Sequence, residues 1–306
     1  MDYAALIKEV GRGARGARNL DRADAAALFG AMLDGQVPEL ELGALLLALR
    51  IKGESADELL GFSEAMNARC QRLHVPGERR LVLLPSFNGA RKLANLMPLI
   101  ALRLADEGIP VLIHGRHDFS ARENPFELLE ALGLRCAASL EEAQEQLQQR
   151  RLAVLPSVLL LPGLDRLMAL RVRLGVRNSA HSLAKLLDPA PGHSTRVVAV
   201  THPEYITSMS ALLPALCQNT GGTALLMKGC EGEAHAHLRR KAWLMQIDAG
   251  GSCRLHEDLE DDCQALLEQS DIAGNAQLID SLLHGRLPMP RRIAEQLEAL
   301  TQLSQY

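Results

Sequence analysis

Apolar residues with helical spacing dominate the first quarter of the chain. Asp21 stands as a side-chain cap ahead of the first apolar stripe, and Gly35 follows its end. A second stripe runs from Leu40 to Leu49, and Ser55 precedes a third. Caps before apolar stripes and glycines after them mark the ends of amphipathic helices. We therefore expect a small all-helical domain over residues 1–74.

Beyond residue 76 the pattern changes to short apolar runs that alternate with helical stretches. The runs have the length of buried strands and are Leu81 to Leu84, Val111 to His114, Ala153 to Leu155, Arg196 to Val200 and Thr223 to Met227. The helical stretches include Leu93 to Ala105, Pro125 to Leu132 and Asn275 to Leu303. This alternation is typical of parallel strand–helix–strand units. The predicted fold class is α/β, with a larger domain over residues 75–306 on a central parallel or mixed sheet, while part of residues 164–187 joins the helical domain.

The composition is that of a globular protein with a sizeable core, since apolar residues make up 47% and charged residues 23% of the 306 residues. The first ten residues mix charged and apolar side chains, and no uncharged apolar run could span a bilayer, so we expect a cytoplasmic protein with no membrane partner. Six dispersed cysteines favour structural thiols. Aromatic residues, at 3%, are too few for a base-stacking surface. Because the net charge is -4, any contact with nucleic acid depends on local basic clusters.

The helical segment from Leu42 to Ser55, Leu-Gly-Ala-Leu-Leu-Leu-Ala-Leu-Arg-Ile-Lys-Gly-Glu-Ser, resembles the N-terminal domain of glycosyltransferase family 3. That family includes anthranilate phosphoribosyltransferase and the pyrimidine nucleoside phosphorylases. Later features follow in a similar order: a strand ending in His114-Gly115, a Leu-Glu-Ala-Leu-Gly helix end at residues 129–133, and Leu-Gly-Val-Arg at residues 174–177. The resemblance implies the nucleoside phosphorylase/phosphoribosyltransferase fold.

The loop that binds pyrophosphate in the enzymes is altered here. In the family, a Gly-Thr-Gly-Gly-Asp loop cradles the pyrophosphate of phosphoribosyl pyrophosphate with backbone N–H groups. The matching segment is residues 85–91, with Ser86, Asn88 and Gly89 at family-motif positions. A single glycine remains, Phe87 adds bulk, and the proline that opens the segment removes an N–H donor. We expect the phosphate cradle to be closed.

Two further motifs that the resemblance identifies have also changed. The pair His114-Gly115 keeps the turn of a Lys-His-Gly-Asn-Arg motif but not its lysine. Ala234 and His235 stand where the family has an Asp-Glu pair for magnesium, which leaves Glu231 and Glu233 as off-motif alternatives. We expect no catalytic residues, no metal and no cofactor. Magnesium and phosphoribosyl pyrophosphate are implied only if the chain is an active transferase.

Basic side chains accumulate around the altered motifs. The candidates for phosphate contact are Arg91, Lys92, Arg116, His117, Arg122, Arg171, Arg173, Arg177, Lys185 and Lys228, with Arg239, Arg240 and Lys241 as a further cluster. Lys and Arg without a base-reading helix contact phosphates and do not read sequence. With residues 11–18 and 177–183, this pattern is similar to the YbiB-type branch of the family. That resemblance implies a homodimer that binds DNA or RNA without sequence preference in a basic groove, with the face from Leu40 to Leu49 as the dimer contact.

Two other functions remain open: a phosphoribosyltransferase or nucleoside phosphorylase of altered specificity, and an anion- or sugar-binding module. Individual residues also have structural interpretations. His114 is expected to be a hydrogen-bonded structural histidine, His235 and His237 have metal-ligand spacing without an obvious third ligand, and residues 257–262 form an acidic surface run. Arg12, Arg15 and Arg18 are spaced to share one helical face, which is expected either to be solvated or to contact phosphate.

Overall fold

The chain divides into a helical unit and an α/β unit. The structure, a computed structural model, describes residues 1–13, 15–117, 122–238, 243–256 and 271–306. Residues 1–71 and 157–189 form the helical unit, and residues 72–156 and 190–306 form the α/β unit. The basic cluster at residues 239–241, the acidic run at residues 257–262 and Cys263 lie outside the described residues.

The boundaries of the helical unit differ from the predicted ones. The N-terminal segment ends at Gln71 instead of residue 74, and all of residues 157–189 return to the unit instead of part of 164–187. The returning segment contacts the N-terminal segment close to its own start, since the Gln71 N–H donates to the Leu160 carbonyl at 2.9 Å. Gly163 then lies directly against the backbone of Leu33, where a Cβ would be 2.2 Å from the carbonyl oxygen.

The described helices and strands follow in chain order. The helices are α1 Tyr3–Val10, α2 Arg22–Leu33, α3 Glu39–Lys52, α4 Ala56–Asn67, α5 Met97–Asp106, α6 Pro125–Ala131, α7 Leu140–Arg150, α8 Ser157–Leu160, α9 Pro162–Ala169, α10 Arg171–Leu174, α11 Ser179–Leu183, α12 Pro203–Thr220, α13 Ile272–Leu283 and α14 Arg291–Leu303, with a 3₁₀ turn at Ala184–Leu186. The strands are β1 Leu81–Ser86, β2 Val111–Gly115, β3 Leu152–Pro156, β4 Ser194–Val200, β5 Thr223–Cys230, β6 Glu233–Ala236, β7 Leu244–Asp248 and β8 Gly251–His256.

Local capping fixes the helices that the sequence predicts. The Asp21 side chain accepts from the Asp24 N–H at 2.8 Å ahead of α2, and Ser55 forms a reciprocal capping box with Glu58 ahead of α4. α2 and α4 pack closely, with the rings of Phe29 and Phe62 stacked at a centroid distance of 4.8 Å. The three predicted helices are confirmed.

The arginine-rich segment after α1 is not the helical face that its spacing predicted. α1 ends at Val10, where the Gly11 N–H donates back to the Ile7 carbonyl at 2.8 Å. Gly13 then adopts a left-handed backbone with φ of 75°. Glycine favours this conformation, and it ends the helical path before the second and third arginines. Arg18 forms an exposed ion pair with Glu9 at 3.7 Å.

A mixed sheet, with eight strands in the described residues, forms the centre of the α/β unit. Its order is β3-β2-β1-β4-β5-β7-β8, and β6 pairs separately with β5. β3, β2, β1, β4 and β5 are parallel, whereas β6, β7 and β8 are antiparallel additions. The parallel strands are buried along almost their whole length, as expected of a sheet covered on both faces. This architecture confirms the predicted α/β fold class.

Two further findings concern membrane-spanning helices and cysteines. None of the helices within the described ranges combines the length and apolar character needed to cross a bilayer. Among the described residues no disulfide links the five cysteines Cys70, Cys136, Cys217, Cys230 and Cys253.

Candidate functional site

The altered loop lies at the carboxyl edge of the parallel strands. β1 ends at Ser86 and β2 ends beside it at Gly115. A Cβ on Gly115 would lie 1.7 Å from the Ser86 carbonyl oxygen, so only glycine permits this approach. The Arg116 N–H donates to the same carbonyl at 3.1 Å. The chain from residue 86 to residue 92, called the edge loop below, therefore starts from a fixed point.

The carboxylate of Glu233 fills the first half of the edge loop. Its Oε1 accepts from the backbone N–H groups of Asn88, at 2.9 Å, and Gly89, at 3.1 Å. Its Oε2 accepts from the Ser86 hydroxyl, at 2.5 Å, and from the Asn95 side-chain amide, at 3.2 Å. Glu233 is 1% exposed, so these four donors replace the water that the carboxylate loses on burial.

A second carboxylate, that of Glu231, fills the other half. Its Oε2 accepts from the backbone N–H groups of Arg91, at 2.6 Å, and Lys92, at 3.0 Å. Glu231 lies in the turn between β5 and β6, and Glu233 is the first residue of β6. The Asn88 side chain holds this turn by donating to the Gly232 carbonyl at 3.1 Å. Four backbone N–H groups of the edge loop therefore donate to carboxylates of the chain itself.

Arg122 and its neighbours fix the outer side of the edge loop. Gly89 has a φ of 68°, and a Cβ there would lie 2.4 Å from the Glu123 carbonyl oxygen. The Arg122 guanidinium donates to the carbonyls of Asn88 and Gly89 at 3.4 and 3.3 Å. A Cβ on Gly89 would also lie 3.3 Å from the His117 ring. Arg122 and His117 therefore pack against the loop that contains three family-motif positions.

Three of the predicted basic residues share a pocket beside the edge loop. The pocket has a volume of about 370 Å³ and is lined by Arg91, Lys92, Leu93, Thr201, Lys228, Gly229, Glu231 and His237. Within the described part of the chain, the side chains of Arg91, Lys92 and Lys228 form no ion pair. Arg91 and Lys92 are exposed and Lys228 is half-buried. The pocket is therefore a local site of positive charge on a chain whose net charge is -4.

His114 lies beneath this edge and differs from its predicted environment. It is fully buried at the end of β2, as expected of a structural histidine, but neither ring nitrogen has a hydrogen-bond partner among the described residues. Its ring meets Phe87 edge-on at a centroid distance of 5.8 Å. Burial lowers the pKa of His114 from its ordinary value of 6.5 to about 4, so the ring is neutral at pH 7. The expected hydrogen bonding is wrong because Phe87, in place of a polar group, fills the adjoining space.

Both units match known domain families. Residues 4–70 match the helical bundle domain of the glycosyl transferase family, and residues 89–296 match its α/β domain. The chain belongs to this family, glycosyltransferase family 3. The resemblance found in the sequence is therefore confirmed.

Alignments with individual relatives cover most of the chain. It is 41% identical over 300 residues to the uncharacterised protein YbiB of Escherichia coli (strain K12), an alignment that covers 97% of this chain and 92% of YbiB. It is 28% identical over 280 residues to the anthranilate phosphoribosyltransferase of Methylobacterium radiotolerans, with 90% and 80% covered. The structure of anthranilate phosphoribosyltransferase (TrpD) from Thermus thermophilus matches with a TM-score of 0.80 at 25% identity, over 99% of this chain and 89% of that chain.

The residues of this glycosyl transferase family member do not fit magnesium at the family's metal positions. Ala234 offers no ligand atom. His235 is 3% exposed, and burial, with repulsion from His237, lowers its pKa to about 3. Glu231 and Glu233 already accept hydrogen bonds from the edge loop. Among the described residues, no group of three or more His, Cys, Asp or Glu side chains is arranged to hold a metal.

The remaining predicted basic residues belong to the helical unit. Arg171 and Arg173 lie on α10, Arg177 follows it, and Lys185 lies in the 3₁₀ turn. Arg173 forms an exposed bidentate pair with Glu39, with both distances at 3.2 Å. Arg171, Arg177 and Lys185 each have an interaction partner.

The residues that sequence reasoning missed are the acceptors and donors inside the edge loop. The sequence presents Glu231 and Glu233 only as substitute metal ligands and gives no indication of a role for Asn95. The one sequence signal was two glutamates directly after a buried strand. Their partners lie about 140 positions earlier in the chain, where no local pattern points to them.

Proposed function

We propose that this chain acts in the cytoplasm as a non-sequence-specific DNA- or RNA-binding protein built on a glycosyl transferase scaffold that has lost its transfer chemistry. The observation that carries the proposal is the pocket where Arg91, Lys92 and Lys228 meet without ion-pair partners among the described residues. Unpaired cations on a scaffold edge attract phosphate and release counterions when they bind a nucleic-acid backbone.

Loss of transfer chemistry is supported by the edge loop itself. Transfer of a phosphoribosyl group requires free donors for the pyrophosphate and a cation to neutralise it as it leaves. Here Glu231 and Glu233 accept from the four backbone donors, and the family's metal positions hold Ala234 and His235. The site therefore favours holding an extended polyanion at its rim over activating a small phosphate ester.

Fluorescence anisotropy with random-sequence oligonucleotides tests the proposal. Single-stranded and double-stranded DNA and RNA of unrelated sequences are titrated with the protein at several salt concentrations. We expect similar affinities for unrelated sequences and a logarithm of the binding constant that falls linearly with the logarithm of salt. Absence of binding at low salt, or an affinity that salt does not change, contradicts the proposal.

We also propose that the protein is a homodimer through the helical unit. α3 carries large exposed apolar side chains, with Leu40 82% and Ile51 68% exposed and Leu47 between them. Positions seven and eleven residues apart lie on one face of a helix, so these three side chains form an apolar stripe. Exposed apolar stripes of this kind mark protein contacts.

A transferase of altered specificity is the second candidate, because the chain belongs to a family whose members include phosphoribosyltransferases and it retains His114-Gly115. A ligand that binds only the folded state raises the melting temperature. We expect saturating phosphoribosyl pyrophosphate with magnesium to leave the melting temperature unchanged. A concentration-dependent increase would favour the transferase.

A further inference from the structure

The edge loop holds carboxylates in the manner in which a loop of this kind holds phosphate. Successive backbone N–H groups that converge on one point form a concave site for an anion. Asn88 and Gly89 converge on one Glu233 oxygen, and Arg91 and Lys92 converge on one Glu231 oxygen. We propose that Glu231 and Glu233 are internal anions that occupy these donors and so exclude small phosphates from the edge loop.

The backbone of the turn that contains Glu231 and leads into Glu233 is shaped for this role. Glu231 has a left-handed backbone with φ of 53°, a conformation that residues other than glycine rarely adopt. Gly232 follows at φ of 91°, and a Cβ there would lie 2.4 Å from the Asn88 amide nitrogen. Surrounding structure must hold such a backbone in place. Here the hydrogen bonds between the turn and the edge loop hold it.

The internal anions also let the site discriminate between small phosphates, which would have to enter the edge loop, and larger phosphate ligands, which contact only the adjoining pocket. A free phosphate or pyrophosphate would have to displace buried Glu233, whose four hydrogen bonds include those to the Ser86 hydroxyl and the Asn95 amide. The side chains of Arg91, Lys92 and Lys228 stay available in the adjoining pocket. The edge loop therefore rejects small phosphates while its rim keeps its positive charge. This inference stands whether or not the protein binds nucleic acid.

Replacement of Glu231 by alanine tests the inference. Glu231→Ala leaves the N–H groups of Arg91 and Lys92 without their acceptor and removes one negative charge from the lining of the pocket. Isothermal titration with inorganic pyrophosphate is carried out at constant ionic strength without divalent cations. We expect the variant to bind pyrophosphate at least about tenfold more tightly than the wild-type protein.

Glu233→Ala provides a second readout on the same loop. The buried donors lose their acceptor, so we expect a lower melting temperature that pyrophosphate partly restores. Gln296→Ala is the matched control. Gln296 is a buried neutral side chain on α14 that accepts from the N–H of Ala236, which lies on β6 as Glu233 does. Its melting temperature should fall without recovery in pyrophosphate.

The inference is overturned if Glu231→Ala binds pyrophosphate no more tightly than the wild-type protein. It is also overturned if pyrophosphate raises the melting temperature of the wild-type protein and of Glu233→Ala equally. If Glu233→Ala does not fold, the comparison of Glu231→Ala with the wild-type protein decides alone.

Discussion

At the residue scale, the polar side chains buried beneath the carboxyl edge differ in how they are satisfied. Glu233 has four donors around its carboxylate, whereas neither ring nitrogen of His114 has a hydrogen-bond partner in the part of the chain that the structure describes. An unpaired buried polar group costs free energy that an apolar side chain of similar size would not. The buried His114 therefore lowers the free energy of unfolding and makes it decrease further at acid pH.

Replacing His114 with leucine should reduce this acid sensitivity. Because the folded-state pKa of about 4 lies below the ordinary 6.5, the unfolded chain binds the proton first, and stability present above pH 6.5 is lost as the pH falls towards 4. This shift corresponds to a loss of about 2 kcal/mol between pH 7 and pH 5. Urea unfolding at the two pH values should show that His114→Leu removes this part and is at least as stable as the wild type at pH 7.

An exposed histidine supplies the control for this experiment. His74 is exposed, and its backbone forms two hydrogen bonds with the Gln144 side chain. His74→Leu should leave the difference between pH 7 and pH 5 as in the wild-type protein. An unchanged pH dependence in His114→Leu would show that burial of this ring does not control acid stability.

The residue scale is also where sequence reasoning was least informative. The sequence identified the edge loop and its altered glycines because the motif is local. It did not identify the hydrogen bonds from Asn88 and Arg91 to Glu233 and Glu231, because those contacts depend on how β5 and β6 return to β1. The prediction that His114 is hydrogen-bonded was wrong for the same reason.

At the scale of elements, backbone proximity between α2 and α4 limits what can replace Gly61. A Cβ at Gly61 would lie 2.3 Å from the Arg22 carbonyl oxygen and 2.9 Å from the Ala26 nitrogen. Backbone cannot move aside as a side chain can, so Gly61→Ala should force the helices apart. We expect its free energy of unfolding to fall by about 2 kcal/mol in urea denaturation.

Gly30→Ala is the matched control within the same helix pair. Its Cβ would meet the guanidinium of Arg69, the nearest atom being at 2.8 Å, and this flexible group can shift. We expect a loss below about 1 kcal/mol, since alanine also favours the helix. Equal losses in the two variants would mean that backbone contact does not determine the spacing of α2 and α4.

The sequence predicted the helices and strands whose sequence signals lie within a few residues of the element itself. α2 and α4 were predicted because Asp21 and Ser55 cap them within three residues. β6, β7 and β8 were not predicted, because they are short and rich in polar residues and form through pairing with β5 and with each other. Context of this kind outweighs strand propensity in a single segment.

At the scale of the molecule, the distribution of charge matters more than its total. The net charge is -4, yet three cations without ion-pair partners in the described residues line one pocket. Counterion release depends on the charges that contact phosphate, so an acidic protein can bind nucleic acid through such a surface. The helical unit contributes the apolar stripe on α3, which suits assembly and not phosphate contact.

A charge placed in the apolar stripe should prevent assembly. Leu47 is 44% exposed on α3, and Leu47→Glu would bring like charges together in a symmetric dimer. Light scattering coupled to size exclusion should give a dimer mass for the wild type and a monomer mass for Leu47→Glu. Asp57→Lys, at an exposed position on α4, should remain dimeric. A monomeric wild type, or a dimeric Leu47→Glu, would contradict the proposed contact.

The pocket cations provide the most direct test of nucleic-acid binding. The triple variant Arg91→Ala, Lys92→Ala and Lys228→Ala is compared with Arg150→Ala, whose exposed side chain ends α7 at the opposite, amino edge of the sheet. Anisotropy titrations of one random-sequence DNA duplex across salt give each slope. We predict that the triple variant reduces the magnitude of the slope by about 3 and that Arg150→Ala matches the wild type. A triple variant with the wild-type affinity and salt slope would contradict the assignment of this pocket to phosphate binding.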